Sequence, residues 1–224
     1  MLKAIIFDFD GVLADTEPLH FRMFQQVLQE ERISLGEDEY YQKYVGFDDR
    51  DCFHAILAAQ GRSTSPETIR RLVARKAAMM LDHLKATPVV YPGIKEFVKS
   101  SANRYRLAIV SGALRQEIDL ILQTAGMRTD FEHITSAEDV GSGKPDPEGY
   151  LHALRSLNQK APILAPECLV IEDTLFGIQA AHAAGIRCLA VSTTCPADQL
   201  ASADAIASTL KGYDLESLAK RFWS

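Results

Sequence analysis

Residues 3–16, KAIIFDFDGVLADT, constrain the fold more than any other stretch of the chain. The apolar run from Ala4 to Phe7 has the branched and aromatic composition of a strand buried on both faces, and Gly11 supplies a sharp exit. Asp8 and Asp10 follow the run two residues apart, where a period of two lets both side chains lean to the same side. In an open α/β sheet the C-terminal end of such a strand opens on the ligand crevice.

Two uncompensated carboxylates in that position repel, which raises one pKa or demands a counter-ion. Oxygen-only ligands suit Mg²⁺, which keeps several waters and takes one or two protein carboxylates plus phosphate oxygens. A single Asp at a strand end is more often a turn or helix cap. The whole DFDG cluster behind a buried run favours a cation site.

Composition excludes several classes. The chain has 224 residues, 47% hydrophobic and 24% charged, enough for one large domain or a domain with an insert. A formal charge of −6 and the lack of a basic stripe argue against nucleic acid as a partner. No apolar run reaches membrane-spanning length, and only four apolar residues separate Lys3 from Asp8, so neither a signal peptide nor a membrane anchor is expected. Cys52, Cys168, Cys188 and Cys195 are irregularly spaced with no C-x-x-C, a pattern of reduced thiols that suits the cytoplasm.

From about Glu17 to Ala86, apolar residues recur at three- and four-residue spacings in PLHFRMFQQVLQE, EDEYYQKYV, DCFHAILAAQ and PETIRRLVARKAAMMLDHLK. This is a helical block, with breaks at Ser34-Leu35-Gly36, at Gly46 to Asp49 and at Gly61 to Pro66. After Thr87-Pro88 helices and strands alternate: helix YPGIKEFVKSSA with a Pro at its start, strand RLAIVSG, helix LRQEIDLILQTAG closing on Gly126, and a short strand at His133 to Ser136. Helix EGYLHALRSL, strand CLVIEDT, helix TLFGIQAAHAAG, strand RCLAVST and a short strand in DAIASTL complete the series. The fold class is therefore α/β, a doubly wound parallel sheet with right-handed crossovers. Residues 1–15 and 88–224 form the catalytic core, and residues 16–87 an inserted α-helical cap over the crevice.

Polar groups stand at equivalent places along this pattern. Asp8 and Asp10 end the first strand, Ser111 ends RLAIVS, and Glu172 and Asp173 end CLVIED, so all can converge on one sheet edge, with Lys144 reaching it from a loop. Each alone has an ordinary explanation, as a helix cap, a helix-start carboxylate or a loop lysine. Together they describe a site for an anionic substrate, and phosphoryl transfer has that demand for charge neutralisation. One Asp can attack and form an aspartyl-phosphate, while the other serves as acid and then as base; the residues alone leave open which is which. GSGKPD at 141–146 matches neither G-x-G-x-x-G nor the Walker pattern, so nucleotide binding is not indicated.

Asp8-Phe-Asp10-Gly-Val, Ser111 in VSGA, Lys144 in GKPDP and Glu172-Asp173 in IEDTLFGIQAAHAAG resemble, in order, the four motifs of the haloacid dehalogenase-like hydrolases, and the resemblance covers nearly the whole chain. The cap position and the string DTEPLH at 15–20 resemble the branch that holds β-phosphoglucomutase and small sugar-phosphate phosphatases. That resemblance implies a Rossmann-like core, Asp8 as nucleophile, and Asp10 as general acid/base with a backbone oxygen on Mg²⁺. It implies Ser111, Gly112 and Lys144 as phosphate binders, and Asp8, Asp10, Glu172 and Asp173 around the metal, with Glu172 either ligating or orienting. The dehalogenases lack the second Asp of the first motif, so Asp10 argues for phosphate esters.

Substrate choice is expected in the cap, at Thr16, His20, Gly46, Arg50 and Lys76. YVGFDDRDCF at 44–53 resembles the cap loop that meets substrate in this branch, where Arg50 could clamp a phosphate or a sugar hydroxyl. Thr16 and His20 match mutase positions that plain phosphatases share. The mutase lysine before the cap-loop glycine is Val45 here, and its arginine three residues after that glycine is Asp49, which counts against mutase activity. Arg75 and Lys76 on the last cap helix are expected on a solvated face, the usual place of helical charges, with reach to the crevice as the alternative. The reading is a monomeric Mg²⁺-dependent phosphatase of a small phosphorylated metabolite, most naturally a sugar phosphate. A phosphomutase is the first alternative, and a non-enzymatic phospho-acceptor module the second.

Overall fold

The computed structural model describes residues 1–85 and 89–223. The strands are β1 (Ala4–Phe7), β2 (Arg106–Val110), β3 (His133–Thr135), β4 (Cys168–Glu172), β5 (Arg187–Val191) and β6 (Ala205–Ala207). They form one sheet in the order β3-β2-β1-β4-β5-β6, and every neighbouring pair is parallel. The central strand pairs in register on both sides, with Ile5 opposite Leu107 and Leu169.

Period-two alternation sends successive side chains to opposite faces, which here carry different sizes of residue. Ile5, Phe7, Leu107, Ile109, Leu169 and Ile171 face one core, closed by α5 (Ile94–Ala102), α6 (Arg115–Ala125) and α9 (Leu215–Trp223). Ala4, Ile6, Ala108, Val110, Cys168 and Val170 face the other, closed by α7 (Glu148–Asn158) and α8 (Leu175–Ala183). Small residues on this second face let α8, with Ala180 and Ala181 fully buried, pack close to the strands. Helices on both faces make the sheet doubly wound, as the strand–helix alternation requires.

In chain order, β1 is followed by α1 (Glu17–Glu30), α2 (Glu37–Lys43), α3 (Asp49–Ala59) and α4 (Pro66–Leu84) before the chain returns to the core. They bury a core of their own, in which Phe24, Val27, Leu28, Tyr40, Phe53, Ile56 and Leu72 pack together. Their limits follow from local chemistry. Asp48 caps α3 by accepting from the Asp51 N–H at 2.9 Å, and Ser65 caps α4 by accepting from Thr68 N at 3.2 Å, with Pro66 at the first helical position. The expected far edge of the insert, with its Thr87-Pro88 break, lies outside the described residues.

The helix expected to start at Pro92 begins instead at Ile94, after the left-handed Gly93. Gly126 closes α6 in the left-handed region, as its sequence position suggested. The helix α9, absent from the sequence reading, sets Leu215 and Leu218 on the first core and brings Phe222 and Trp223 over the Arg187 guanidinium. All four cysteines are free thiols, three of them buried. Among the described residues no helix is long and apolar enough to cross a membrane.

Candidate active site

Parallel strands put their C-terminal ends on one edge, and the polar groups expected at the ends of β1, β2 and β4 meet there with Lys144. The crevice encloses about 860 Å³, including its open mouth, and Asp8, Asp10, Ser111, Gly112, Lys144 and Asp173 all line it. Asp8 follows β1, and its N–H donates to Ile171 O of β4 at 2.8 Å, which fixes the first motif beside the last.

Lys144 joins these motifs. Its ammonium donates to Asp8 Oδ1 at 2.5 Å, to Glu172 Oε1 at 2.6 Å and to Val110 O at 3.2 Å. One lysine thus faces two nearly buried carboxylates, so the site is short of positive charge. Burial pushes Asp8 up to about 8; Lys144 opposes the rise, while Glu172 and Asp10 add to it. Burial, the negative charge of Glu172 and that of Asp8 hold Asp173 well above the ordinary carboxylate range. Glu172 is the exception: burial would raise it, but Lys144 and the N–H groups of Asp173 and Thr174 outweigh burial and hold it low.

A divalent cation fits this deficit. Asp8, Glu172 and Asp173 each bring a carboxylate oxygen within 4.8 Å of the others, all buried. Asp173 Oδ1 is buried with no hydrogen-bond partner, an acceptor left for a cation. The two oxygens of Glu172 are instead occupied, one by Lys144 and the Tyr150 hydroxyl, the other by Asp173 N, Thr174 N and Thr174 Oγ1. That suits Glu172 to orienting the site more than to ligating directly. Gly11 is required beside this cluster: its φ is +77°, and a Cβ there would sit 1.8 Å from Asp173 Oδ2.

The Asp10 carboxylate stands apart from the cluster. Its Oδ1 accepts from Thr16 Oγ1 at 2.5 Å and faces His20 Nε2 at 3.3 Å, and its Oδ2 accepts from Ser111 Oγ at 3.2 Å. Burial alone would raise it, but His20, the Thr16 hydroxyl and the Lys76 charge outweigh burial and bring it to about 2. The two aspartates of one motif therefore have opposite environments. Of the expected metal groups, Asp10 has its carboxylate committed to Thr16, His20 and Ser111 and lies outside the three-carboxylate cluster.

The helical insert meets this edge through the loop between α2 and α3. Gly46 lies against Thr174, Phe47 stacks on Phe176 with ring centroids 5.3 Å apart, and Asp48 lies over Gly112, where a Cβ would come 3.3 Å from Asp48 Cβ. His20 lines the crevice, whereas Thr16 is fully buried, is not among the lining residues and meets the site only through its hydrogen bond to Asp10. Arg50 is not among the crevice-lining residues; it pairs with Asp48 Oδ2 at 2.8 Å and its side chain is 43% exposed.

Lys76 corrects the solvated-face expectation. Its side chain is fully buried; Nζ donates to Asp49 Oδ1 at 2.5 Å, lies 2.7 Å from His20 Nδ1 and stands 4.3 Å over the Phe24 ring. Its neighbour Arg75 does face solvent, paired with Glu30. Sequence reasoning missed Glu117 of α6, which is 1% exposed, has an unpartnered Oε1 and sits in the field of Lys76. A signal for Lys76 existed: it occupies the apolar stripe Ile69, Leu72, Ala77, Met80 and Leu84 of α4, where Arg75 does not.

The family model described as haloacid dehalogenase-like hydrolase matches residues 5–191. A phosphorylated carbohydrates phosphatase of Thermotoga maritima is 32% identical over 187 residues, 83% of each chain. Among solved structures, CbbY from Rhodobacter sphaeroides in complex with phosphate is 25% identical with a TM-score of 0.83, over 94% of this chain and 96% of that one. A β-phosphoglucomutase from Clostridium difficile, 21% identical, shares the fold with a TM-score of 0.88 over 99% and 97% of the two chains. Because the match runs unbroken from the first strand of the sheet to the fifth, the chain belongs to the haloacid dehalogenase-like hydrolases.

Proposed function

We propose that the protein is a Mg²⁺-dependent phosphatase that hydrolyses a small phosphorylated metabolite, a sugar phosphate, through an aspartyl-phosphate on Asp8. The observation that carries this reading is the division of labour between Asp8 and Asp10: one is held by Lys144 beside the carboxylate cluster, the other is tied to Thr16, His20 and Ser111. The naming of the Thermotoga maritima relative as a phosphorylated carbohydrates phosphatase supports the substrate class.

Asp8 and Asp173 would hold the ion, with Glu172 orienting them. Bound Mg²⁺ supplies positive charge that keeps these carboxylates ionised and neutralises phosphate oxygens. Lys144 and Ser111, at the same edge, bind the phosphate oxygens, and Gly112 leaves room for their approach. An Asp8 oxygen forms the bond to phosphorus as the bond to the sugar oxygen breaks, and that oxygen takes a proton from Asp10. Water then attacks the same phosphorus and loses its proton to Asp10; the Asp8–phosphorus bond breaks, and inorganic phosphate leaves.

Held at about 2, Asp10 rests as the carboxylate that the second half requires. For the first half Asp10 takes up a proton from solvent, as the negative charge of the arriving phosphate raises it, and then gives that proton to the leaving sugar oxygen. Residues 16–87 act as a cap, with the 46–49 loop seated on the core loops and excluding bulk water during transfer.

The experiment is phosphate release from a sugar-phosphate panel with Mg²⁺, beside an EDTA control, Asp8→Asn and Asp10→Asn. Turnover on one substrate group that falls by about 10³-fold or more in Asp8→Asn is the expected result. Retained turnover in Asp8→Asn removes the nucleophile assignment, and isomer formation without free phosphate moves the activity to a mutase.

A further inference from the structure

The cap side of the crevice is built from carboxylates and aromatic rings. Glu17, Asp48 and Asp49 line it together with Phe24, Tyr40 and Phe47. Among the described residues Lys144 is the single lysine or arginine in the lining, and it is already committed to Asp8 and Glu172. The two cations nearest the cap wall are also spent: Arg50 on Asp48, and Lys76 on Asp49. One buried oxygen of these three carboxylates remains unclaimed. Asp49 Oδ2 is buried without a partner, on a side chain only 9% exposed that lines the cavity.

We propose that this wall selects the body of the substrate by charge: one phosphate at the core, joined to a hydroxyl-rich body that is neutral or carries an amine, with Asp49 as the specificity-determining acceptor. The proposal rests on the phosphatase reading for the core end of the crevice. A second phosphate or a carboxylate on the body would enter a field of three carboxylates with no free cation to receive it, where like charges repel strongly at low effective dielectric. Sugar hydroxyls or an ammonium instead supply the donors that Asp49 Oδ2 lacks, and the apolar face of a sugar ring packs on Phe24 and Phe47.

A matched series isolates body charge. Glucosamine 6-phosphate, glucose 6-phosphate, 6-phosphogluconate and glucose 1,6-bisphosphate keep one six-carbon frame while the body goes from cationic to neutral to anionic. Binding is measured by calorimetry with Mg²⁺ on Asp8→Asn, so that turnover does not enter, and phosphate release is measured in parallel on the unaltered protein. The first two should bind at least about tenfold more tightly than the last two. Asp49→Asn and Glu17→Gln should each narrow that gap, Asp49→Asn the more.

If the anionic-body ligands bind as well as or better than glucose 6-phosphate, charge selection is wrong while the phosphatase reading stands. If the four bind in the expected order but the unaltered protein releases phosphate from none of a broad monophosphate panel, the phosphatase reading falls and the charge selection holds. Failure of all four to bind at millimolar concentration overturns the inference.

Discussion

Lys76 Nζ lies 2.7 Å from His20 Nδ1, and the far nitrogen of the same ring lies 3.3 Å from Asp10 Oδ1. An ammonium cannot share a hydrogen with a protonated Nδ1, so Nδ1 accepts and Nε2 carries the hydrogen toward Asp10. Asp49 completes the line at 2.5 Å from Lys76, so a buried relay runs from the insert to the base of the crevice.

Lys76→Met tests that relay. It leaves Asp49 as a buried carboxylate without its ammonium, a loss of about 3–5 kcal/mol in chemical denaturation. It also removes a positive charge that lowers Asp10, so with hydrolysis of the aspartyl-phosphate limiting, where Asp10 must be the carboxylate, the acid limb of the kcat profile should move to higher pH. Stability and acid limb both unchanged would mean that Lys76 holds neither group.

Glu117 makes a second prediction, about stability against pH. Burial pushes it up to about 7 from 4.5; Lys76 opposes the shift and Asp49 adds to it. A carboxyl raised in the fold contributes stability that is fully present below its unfolded value and is lost as pH rises through its folded value. Between about 4.5 and 7 the contribution lost is on the order of 3 kcal/mol. Glu117→Gln, neutral throughout, should flatten that decline and be the more stable protein at pH 8. Parallel denaturation profiles for the two proteins across this range would rule out the buried-carboxyl account.

The central strands and the core site were legible because each rests on local chemistry. β1, β2, β4 and β5 are short apolar runs ending in polar groups, and parallel geometry alone brings Asp8, Ser111 and Asp173 to one edge. The helix breaks were legible from Asp48, Ser65 and Pro66 for the same reason. Lys76 showed its burial only through its place on the apolar stripe of α4, and Glu117 not at all, since the partners of both lie far along the chain and a helical charge gives no local sign of the group that will meet it. Arg50 looked like a substrate clamp until its neighbour Asp48 took it. The nine-residue α9 was missed because a short amphipathic segment is fixed by the core it covers.

Metal removal should be readable in stability as well as in turnover. Asp8 and Asp173 are both pushed up by burial and by neighbouring carboxylates, so the protein in EDTA carries unrelieved repulsion. Mg²⁺ at about a hundred times its dissociation constant stabilises by roughly 2.7 kcal/mol, about 5–10 °C in Tm for a chain of this length. Asp173→Asn should be more stable than the unaltered protein in EDTA and should lose most of the Mg²⁺ response. An undiminished response would place the ion elsewhere.

Gly177 gives the sharpest test of how closely the carboxylates are packed. It lies in the first turn of α8, and in a helix Ala is usually favoured over Gly by up to about 1 kcal/mol. Here a Cβ would stand 1.8 Å from both Glu172 Cδ and Glu172 Oε1. Glu172 has little room to yield, since it is fully buried and both oxygens are held by Lys144, Tyr150, Asp173 and Thr174. The expected sign is therefore reversed. Gly177→Ala should destabilise by about 2 kcal/mol or more, within the range for overpacking a tight site. It should also lower kcat, because moving Glu172 releases one of the two carboxylates that aim Lys144 at the phosphate. Leu175, two residues earlier on the same helix, is 40% exposed, so Leu175→Ala reports on the helix without touching the site. If Gly177→Ala is as stable and active as Leu175→Ala, Glu172 is free to move and does not position Lys144.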